Sequence, residues 1–110
     1  MIFIAVKFSV RPGVAAQWLA RVAPCTSATR AEPGNVFFEW SRSVERPNQF
    51  VLLEAFRDRA AGEAHVHLEH FKAAMAWMPD VVAATPEIIH VEAPGEGWST
   101  MAELQPRTAQ

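Results

Sequence analysis

The sequence predicts an α+β domain of the ferredoxin-like kind: element order β-α-β-β-α-β, with two helices on one face of a four-stranded antiparallel sheet. Three observations predict it. Residues 2–10 alternate apolar and mixed positions as a half-buried strand does, and two apolar runs flank a polar turn at 45–48 as in a β-hairpin. Two stretches with apolar side chains three or four positions apart lie between predicted strands, which is helical spacing.

The first half of the chain is expected to form a strand, a helix and a second strand. Residues 2–10 carry one fully apolar face. Residues 14–31 follow helical spacing, but Pro24 lacks a backbone donor and clashes with the preceding turn, so the helix should kink or split there. The Glu-Pro-Gly-Asn segment at 32–35 ends the helix, with its glycine expected to supply the tight turn, and the second strand follows at 36–44.

The second half is expected to form a strand, one long helix and a last strand. Residues 50–56 are apolar except for one glutamate and should pair with the second strand as a hairpin. Asp58 is a candidate N-cap for a first helical turn. The helix is predicted over residues 64–78 and the last strand over 87–93. One apolar stripe defines that helix, namely Ala64, Leu68, Phe71, Met75 and Met78.

The domain organisation follows from the length and from a change in composition near residue 94. A chain of 110 residues is one domain that can bury a core without disulfides. Residues 1–94 form that domain, and residues 95–110 form a C-terminal tail. The tail is expected to be loose unless Trp98, Met101 and Leu104 dock on another surface, such as the partner subunit.

Composition and charge argue against several classes of partner. The formal net charge is −2, which gives no basic footprint for nucleic acid. The single cysteine, Cys25, excludes an internal disulfide and fits a reducing cytoplasm, so we expect a cytoplasmic protein. No run approaches the ~20 apolar residues that a membrane span needs, and the apolar start is expected to be a strand rather than a signal peptide.

The predicted sheet has one face without a helical cover. Strands two and three carry large apolar side chains at consecutive positions, Phe37-Phe38 and Val51-Leu52-Leu53, which point to opposite faces. Two helices cover only one face, so the other would expose a large apolar patch. The sequence therefore predicts a homodimer joined through the sheet face.

Two motifs carry a family resemblance. Glu54 stands two residues before the aromatic Phe56, and after a short linker come His65 and then His70-Phe71; upstream, residues 30–35 read Arg-Ala-Glu-Pro-Gly-Asn. In order and spacing these motifs resemble the antibiotic biosynthesis monooxygenase (ABM) domain family, over roughly residues 1–93. That family includes small quinol monooxygenases, anthrone oxygenases and relatives of haem-degrading enzymes. The resemblance implies a dimeric α/β barrel.

The resemblance also implies an activity and a site. It implies a monooxygenase that oxidises a small quinol or polyphenol with O2 and needs no metal or flavin cofactor. A flat aromatic substrate would bind in an apolar pocket beside a histidine, because an imidazole can accept a proton near neutral pH. The matched position makes His65 the candidate base, with His70 assisting. The candidate substrate-binding residues are Trp18, Phe38, Trp40, Glu54, Phe56, Phe71 and Met75.

The residues themselves leave alternatives open for the histidines. His65, His67 and His70 can equally be helix-edge histidines that pair with Glu63, Glu69 or backbone carbonyls. Glu63, His67 and His70 share one helical face, but three ligands on successive turns of a straight helix do not converge, so no metal site is expected. Glu54, an acid in an apolar strand, is expected to pair with a histidine or with Arg42, or else to face solvent at the dimer rim.

Alternatives to the monooxygenase function also remain. In an alignment with haem-degrading relatives, their asparagine and axial histidine fall near Val6 and Met75, so haem degradation is disfavoured. Phe56 stands where the family commonly has tryptophan, so an indole donor is lost there. A non-catalytic dimeric ligand-binding domain and an isomerase of a small sugar-like or dicarbonyl metabolite share the fold, and fold alone does not separate them.

Overall fold

The sheet has four antiparallel strands in the order β2-β3-β1-β4, which confirms the predicted ferredoxin-like class. The computed structural model describes residues 1–108, so the last two residues of the predicted tail lie outside it. The strands are β1 (Ile2–Ser9), β2 (Asn35–Arg42), β3 (Gln49–Phe56) and β4 (Glu87–Glu92), and β2 pairs with β3 as the predicted hairpin. The helices are α1 (Trp18–Arg30), α2 (Arg59–His65) and α3 (Glu69–Trp77), with 3-10 turns at Ala15–Gln17 and Met78–Asp80.

The strand register sets which side chains share the face beneath the helices. Ile4 on β1 lies opposite Glu54 on β3 and opposite His90 on β4, and Glu54 lies opposite Phe38 on β2. Directly opposite residues of antiparallel strands project to the same face. One row across the sheet therefore reads Phe38, Glu54, Ile4 and His90.

Helix α1 differs from the prediction because it runs unbroken through Pro24. Pro24 and Ala20, whose carbonyl loses its donor, are both exposed, so water can satisfy that carbonyl. The buried face of the helix carries Trp18 and Val22, while Leu19 is 55% exposed. Thr26 is also buried, and its hydroxyl accepts a 2.9 Å hydrogen bond from Nε1 of Trp40. Such a bond stabilises the fold by about 1 kcal/mol.

The single helix predicted for residues 64–78 is wrong, because the chain forms two helices there. The Asp58 side chain caps α2, accepting a 2.8 Å hydrogen bond from the backbone N–H of Ala61, as predicted. Helix α2 ends at His65, and α3 restarts after Leu68, whose backbone is extended with ψ 152°. Leu68 and Met75 of the predicted stripe are consequently exposed, whereas Met78 is buried.

The core lies between α1, α3 and the inner sheet face, and aromatic rings form its centre. The ring of Trp18 is fully buried and lies 5.4–5.9 Å, centroid to centroid, from four others. Tilted and edge-on contacts of this kind add to the stabilisation from burial alone. The four neighbours are Phe8, Trp40, Phe50 and Trp77.

Among residues 1–108, no helix covers the outer face of the sheet. Ile89 and Val91 on β4 point there and are 62% and 42% exposed. Trp98 of the tail packs on this face, with its ring centroid 5.2 Å from that of Phe37. Past Trp98 the described tail residues form no helix or strand and are exposed. Over residues 1–108 no helix has the length and apolar character needed to cross a bilayer.

Candidate functional site

A cavity of about 360 Å³ lies between the inner sheet face and the helices. The strands provide its apolar floor, α1 one wall, and α2 and α3 the roof. Its volume suits a small ligand of one or two rings. Polar groups are few and include a carboxylate, two imidazoles and a thiol, those of Glu54, His65, His90 and Cys25.

His65 is held in the roof of the cavity by a buried carboxylate. Its Nδ1 lies 2.7 Å from Oε2 of Glu32, and the same oxygen lies 2.6 Å from Nε2 of His70. The side chains of Glu32 and His65 are 9% and 7% exposed, and that of His70 is 21% exposed. One carboxylate oxygen thus accepts hydrogen bonds from two imidazoles in a largely dry setting, where such bonds are strong.

The turn after α1 brings Glu32 to the histidines. The carbonyl of Gly34 accepts a 2.9 Å hydrogen bond from the backbone N–H of Arg57, just before α2. Gly34 packs so closely on α2 that a Cβ there would clash with the Cβ of Ala61. Gly34 does not have a positive φ, so glycine is needed for this approach and not for the turn conformation that we predicted. This contact between Gly34 and Ala61 holds the turn, which also carries Glu32, against α2.

The break between α2 and α3 brings His65 and His70 to the same carboxylate. On one continuous helix, residues five apart would point about 140° away from each other. The extended backbone at Leu68 resets the helix direction, and the two imidazole centroids come within 5.8 Å. The same break leaves His67 exposed, and its imidazole has no hydrogen-bond partner among residues 1–108.

The hydrogen bonds also fix which nitrogen of each imidazole carries a proton. A carboxylate oxygen can only accept, so Nδ1 of His65 and Nε2 of His70 must donate to Glu32. A neutral His65 therefore keeps Nε2 as its acceptor. The imidazole of His65 also contacts two aromatic rings. Its centroid lies 4.9 Å from the ring centroid of Phe56 and 5.2 Å from that of Phe71.

Glu54 is a second buried acid, and it faces the cavity. Glu54 is 7% exposed, and its carboxyl group has no hydrogen-bond partner among residues 1–108. Burial, with a smaller contribution from the charge of Glu32, raises the pKa of Glu54 from 4.5 to about 7. Near neutral pH this carboxyl therefore exists in both protonation states. Burial likewise raises the pKa of the Cys25 thiol, which stays protonated.

Comparison with known proteins identifies the family. The model of the antibiotic biosynthesis monooxygenase family matches residues 1–77, well over half of the chain. The chain belongs to the ABM family. The matched part of this ABM protein contains Glu32, Glu54, His65 and His70, whereas β4 lies beyond it.

One sequence relative and two solved structures illustrate what the chain is similar to. A Bacillus subtilis (strain 168) protein named "Putative monooxygenase YcnE" is 27% identical over 92 residues, which is 84% of this chain and 97% of the relative. The solved structure of Rv0793 from Mycobacterium tuberculosis has a TM-score of 0.80 at 21% identity, over 88% of this chain and 98% of that chain. SO0527 from Shewanella oneidensis has a TM-score of 0.73 at 25% identity, over 82% and 89%.

The cluster of Glu32, His65 and His70 also has the composition of a metal site. Its three candidate ligand atoms lie within 4.8 Å of one another. Zinc bonds of 2.0–2.1 Å would place neighbouring ligand atoms roughly 3.3 Å apart in a tetrahedron. The observed separations of 2.7 and 2.6 Å are hydrogen-bond lengths, so a shared proton fits each gap better than a metal ion. The metal-ligand set that helical spacing would allow, Glu63, His67 and His70, does not form, because Glu63 and His67 point to solvent.

The predicted site residues of this ABM protein fall into three groups. His70 reaches the site through Glu32 and does not line the cavity. Trp18 is fully buried in the aromatic core and is absent from the cavity wall. The other predicted residues line the cavity, namely Phe38, Trp40, Glu54, Phe56, His65, Phe71 and Met75.

Two expectations about acidic residues are corrected. His65 and His70 pair with Glu32, not with Glu63 or Glu69. Glu54 does not pair with Arg42, whose guanidinium lies over the ring of Phe50 instead, 5.5 Å from its centroid. Glu32 was missed because the Glu-Pro-Gly-Asn segment was interpreted only as a helix end. Its signal was an acidic residue inside a motif that carries the family resemblance.

Proposed function

We propose that this ABM protein is a cofactor-independent monooxygenase that oxidises a small quinol or polyphenol with O2, with His65 as the base. The observation that carries the proposal is the hydrogen-bonded Glu32–His65 pair in the roof of an apolar cavity. The carboxylate holds the imidazole in the tautomer whose Nε2 can accept a proton, as in carboxylate–histidine pairs of hydrolases.

In the proposed reaction, the protein binds the quinol, accepts and returns a proton, and excludes water. Nε2 of His65 takes a hydroxyl proton from the bound quinol, and the resulting anion is electron-rich enough to pass one electron to O2. The superoxide and the ring radical combine at a ring carbon that bears hydrogen, and the peroxide anion formed there takes the proton back from His65 to give a hydroperoxide. Loss of water then leaves a carbonyl there, so that quinol and O2 give hydroxyquinone and water. The walls must keep bulk water from these intermediates.

The remaining groups of the cluster support the base. The Glu32 carboxylate stabilises the imidazolium that forms when His65 takes the proton, and His70 holds that carboxylate in place through the second hydrogen bond. Glu54 lies on the cavity floor, where its raised pKa lets it give or take a proton near neutral pH. The rings of Phe38, Phe56 and Phe71 provide flat contact surface for an aromatic substrate.

The homodimer is part of the proposal. The outer sheet face exposes Ile89 and Val91 and carries Phe3, Phe37 and Leu53 beside them. An apolar face of this kind on a soluble domain is covered by association. A second copy of the chain, placed sheet to sheet, would cover it and leave both cavities on the outside of the pair.

Oxygen uptake with a panel of quinols tests the function. The expected result is quinol-dependent uptake that persists with a metal chelator present and falls about 100-fold or more in His65→Ala. His67→Ala is the matched control, since the His67 side chain is exposed nearby and makes no hydrogen bond to residues 1–108. Absence of uptake across the panel, with tight binding of an aromatic, would favour the non-catalytic ligand-binding domain instead.

A further inference from the structure

We propose that His90 is a substrate-binding residue that selects quinols with oxygens at opposite ends of the ring. The inference rests on the proposed function for its choice of a quinol. His90 lies on β4, beyond the part of the chain that the family model matches, and takes no part in the hydrogen-bonded cluster of Glu32, His65 and His70.

The sheet register places His90 across the cavity from Glu54. Both residues lie opposite Ile4, one from each neighbouring strand, and all three line the cavity. Adjacent strands lie 4.7–4.9 Å apart, so the backbones at Glu54 and His90 are about 10 Å apart. The apolar side chain of Ile4 lies between them. The floor of the cavity is therefore an apolar strip with one polar group at each end.

The two ends of this strip differ in depth. Glu54 is 7% exposed and lies beside Phe38 and Phe56, the same rings that border His65. His90 is exposed at the opposite end. It also borders a second hollow, of about 460 Å³, whose lining includes Arg59, Glu63 and Glu92. The Glu54 end is thus the closed end, where the base lies, and His90 stands at the mouth.

A flat ring lying on Ile4 would have one edge at the base and the other at His90. The hydroxyl that His65 deprotonates would lie at the closed end. A second oxygen across the ring, in the para position, would reach the His90 imidazole, whereas ortho and meta oxygens would not. Because an imidazole can donate or accept, it can bind either a hydroxyl or a quinone carbonyl at that point. The cavity therefore favours 1,4-dihydroxy aromatics over phenols that lack the second oxygen.

Anaerobic calorimetric titration tests this preference without requiring turnover. Wild-type protein should bind 1,4-dihydroxybenzene about five- to tenfold more tightly than phenol, the difference that one net hydrogen bond gives. His90→Ala should reduce that preference to within about twofold by weakening only the dihydroxy ligand. His90→Gln should restore part of it, and His67→Ala, at an exposed histidine away from the cavity, should leave it unchanged.

Two outcomes would overturn the inference: an unchanged preference in His90→Ala, which includes an equal loss of affinity for both ligands, or no binding of either ligand to the wild type. Failure of the proposed function is seen separately, as absence of oxygen uptake. A His90-dependent preference without uptake would leave this inference standing for a binding site. Uptake without the preference would leave the function standing and this inference refuted.

Discussion

Nδ1 of His65 lies 2.7 Å from Oε2 of Glu32, although the two residues are 33 positions apart in the chain. Both side chains are at least nine-tenths buried. Pairing of this kind is how a buried carboxylate is tolerated, and it gives the imidazole one orientation and one tautomer. The proposed chemistry depends on this contact, since an unbraced imidazole would present either nitrogen to the cavity.

Replacing the carboxylate while keeping its shape should slow catalysis without unfolding the protein. In Glu32→Gln the amide oxygen still accepts a hydrogen bond, but the charge that stabilises the imidazolium is lost. We expect kcat to fall about 100-fold with little change in KM. Steady-state oxygen uptake measures both constants. Glu63→Gln, an exposed acid on α2, is the control, and equal activity of the two variants would refute the role of Glu32.

Glu54 should make the protein less stable as the pH rises. Its pKa is about 7 in the folded protein against 4.5 unfolded, so between these values the folded state binds the proton more tightly. Stability is therefore lost as the pH rises from 4.5 to 7, by about 3 kcal/mol in all. Glu54→Gln removes this titration and should be more stable than wild type at pH 8 but not at pH 4. Urea unfolding at both pH values measures the difference.

A pH-independent difference between Glu54→Gln and wild type would contradict this account of Glu54. The two proteins are compared at the same pH, so contributions of other groups to the free energy of unfolding cancel to the extent that they are the same in both proteins.

Gly34 should be intolerant of alanine because of its contact with α2. A Cβ at Gly34 would clash with the Cβ of Ala61, and relieving the clash moves the turn that carries Glu32. We expect Gly34→Ala to lower the free energy of unfolding by about 1–3 kcal/mol. Ala61→Gly should rescue it, since the clashing methyl is removed. Gly13→Ala, where a Cβ meets no atom within 4 Å, is the matched control for denaturant unfolding.

Substitutions at two neighbouring isoleucines on β4 test the proposed dimer interface and the cavity independently. Ile88 and Ile89 are 61% and 62% exposed, but Ile88 faces the cavity and Ile89 the outer sheet face. Ile89→Glu should yield monomers, because it places a charge in the proposed sheet-to-sheet interface. Ile88→Glu should stay dimeric and weaken binding of an aromatic ligand. Light scattering after size-exclusion chromatography gives the masses, and identical behaviour of the two variants would refute the proposed interface.

The strands and their order were predictable because their patterns are local. Alternation in β1 and the polar turn between β2 and β3 each follow from a few adjacent residues, and the register then follows from which face is apolar. The cavity-facing positions of Phe38, Glu54 and Phe56 follow from the same alternation.

The hydrogen bond between His65 and Glu32 was not predictable from the helical spacing of the apolar residues. The three- and four-residue intervals after Ala64 fit one helix, yet the chain breaks at Leu68, and the histidines on either side of the break reach one carboxylate. Glu32 comes from a distant turn, and the contact of Gly34 with Ala61 that seats the turn is tertiary. Contacts of this kind have no periodic signature in the sequence.

The tautomer of His65 is the most direct test of the central claim, and nitrogen-15 NMR of the imidazole side chains measures it. The account predicts that neutral His65 carries its proton on Nδ1, that its Nε2 is unprotonated, and that adding phenol shifts the Nε2 resonance. The exposed His67 is the internal control and should not respond to phenol. A neutral His65 protonated on Nε2, or an Nε2 resonance that does not respond to phenol, would contradict the account.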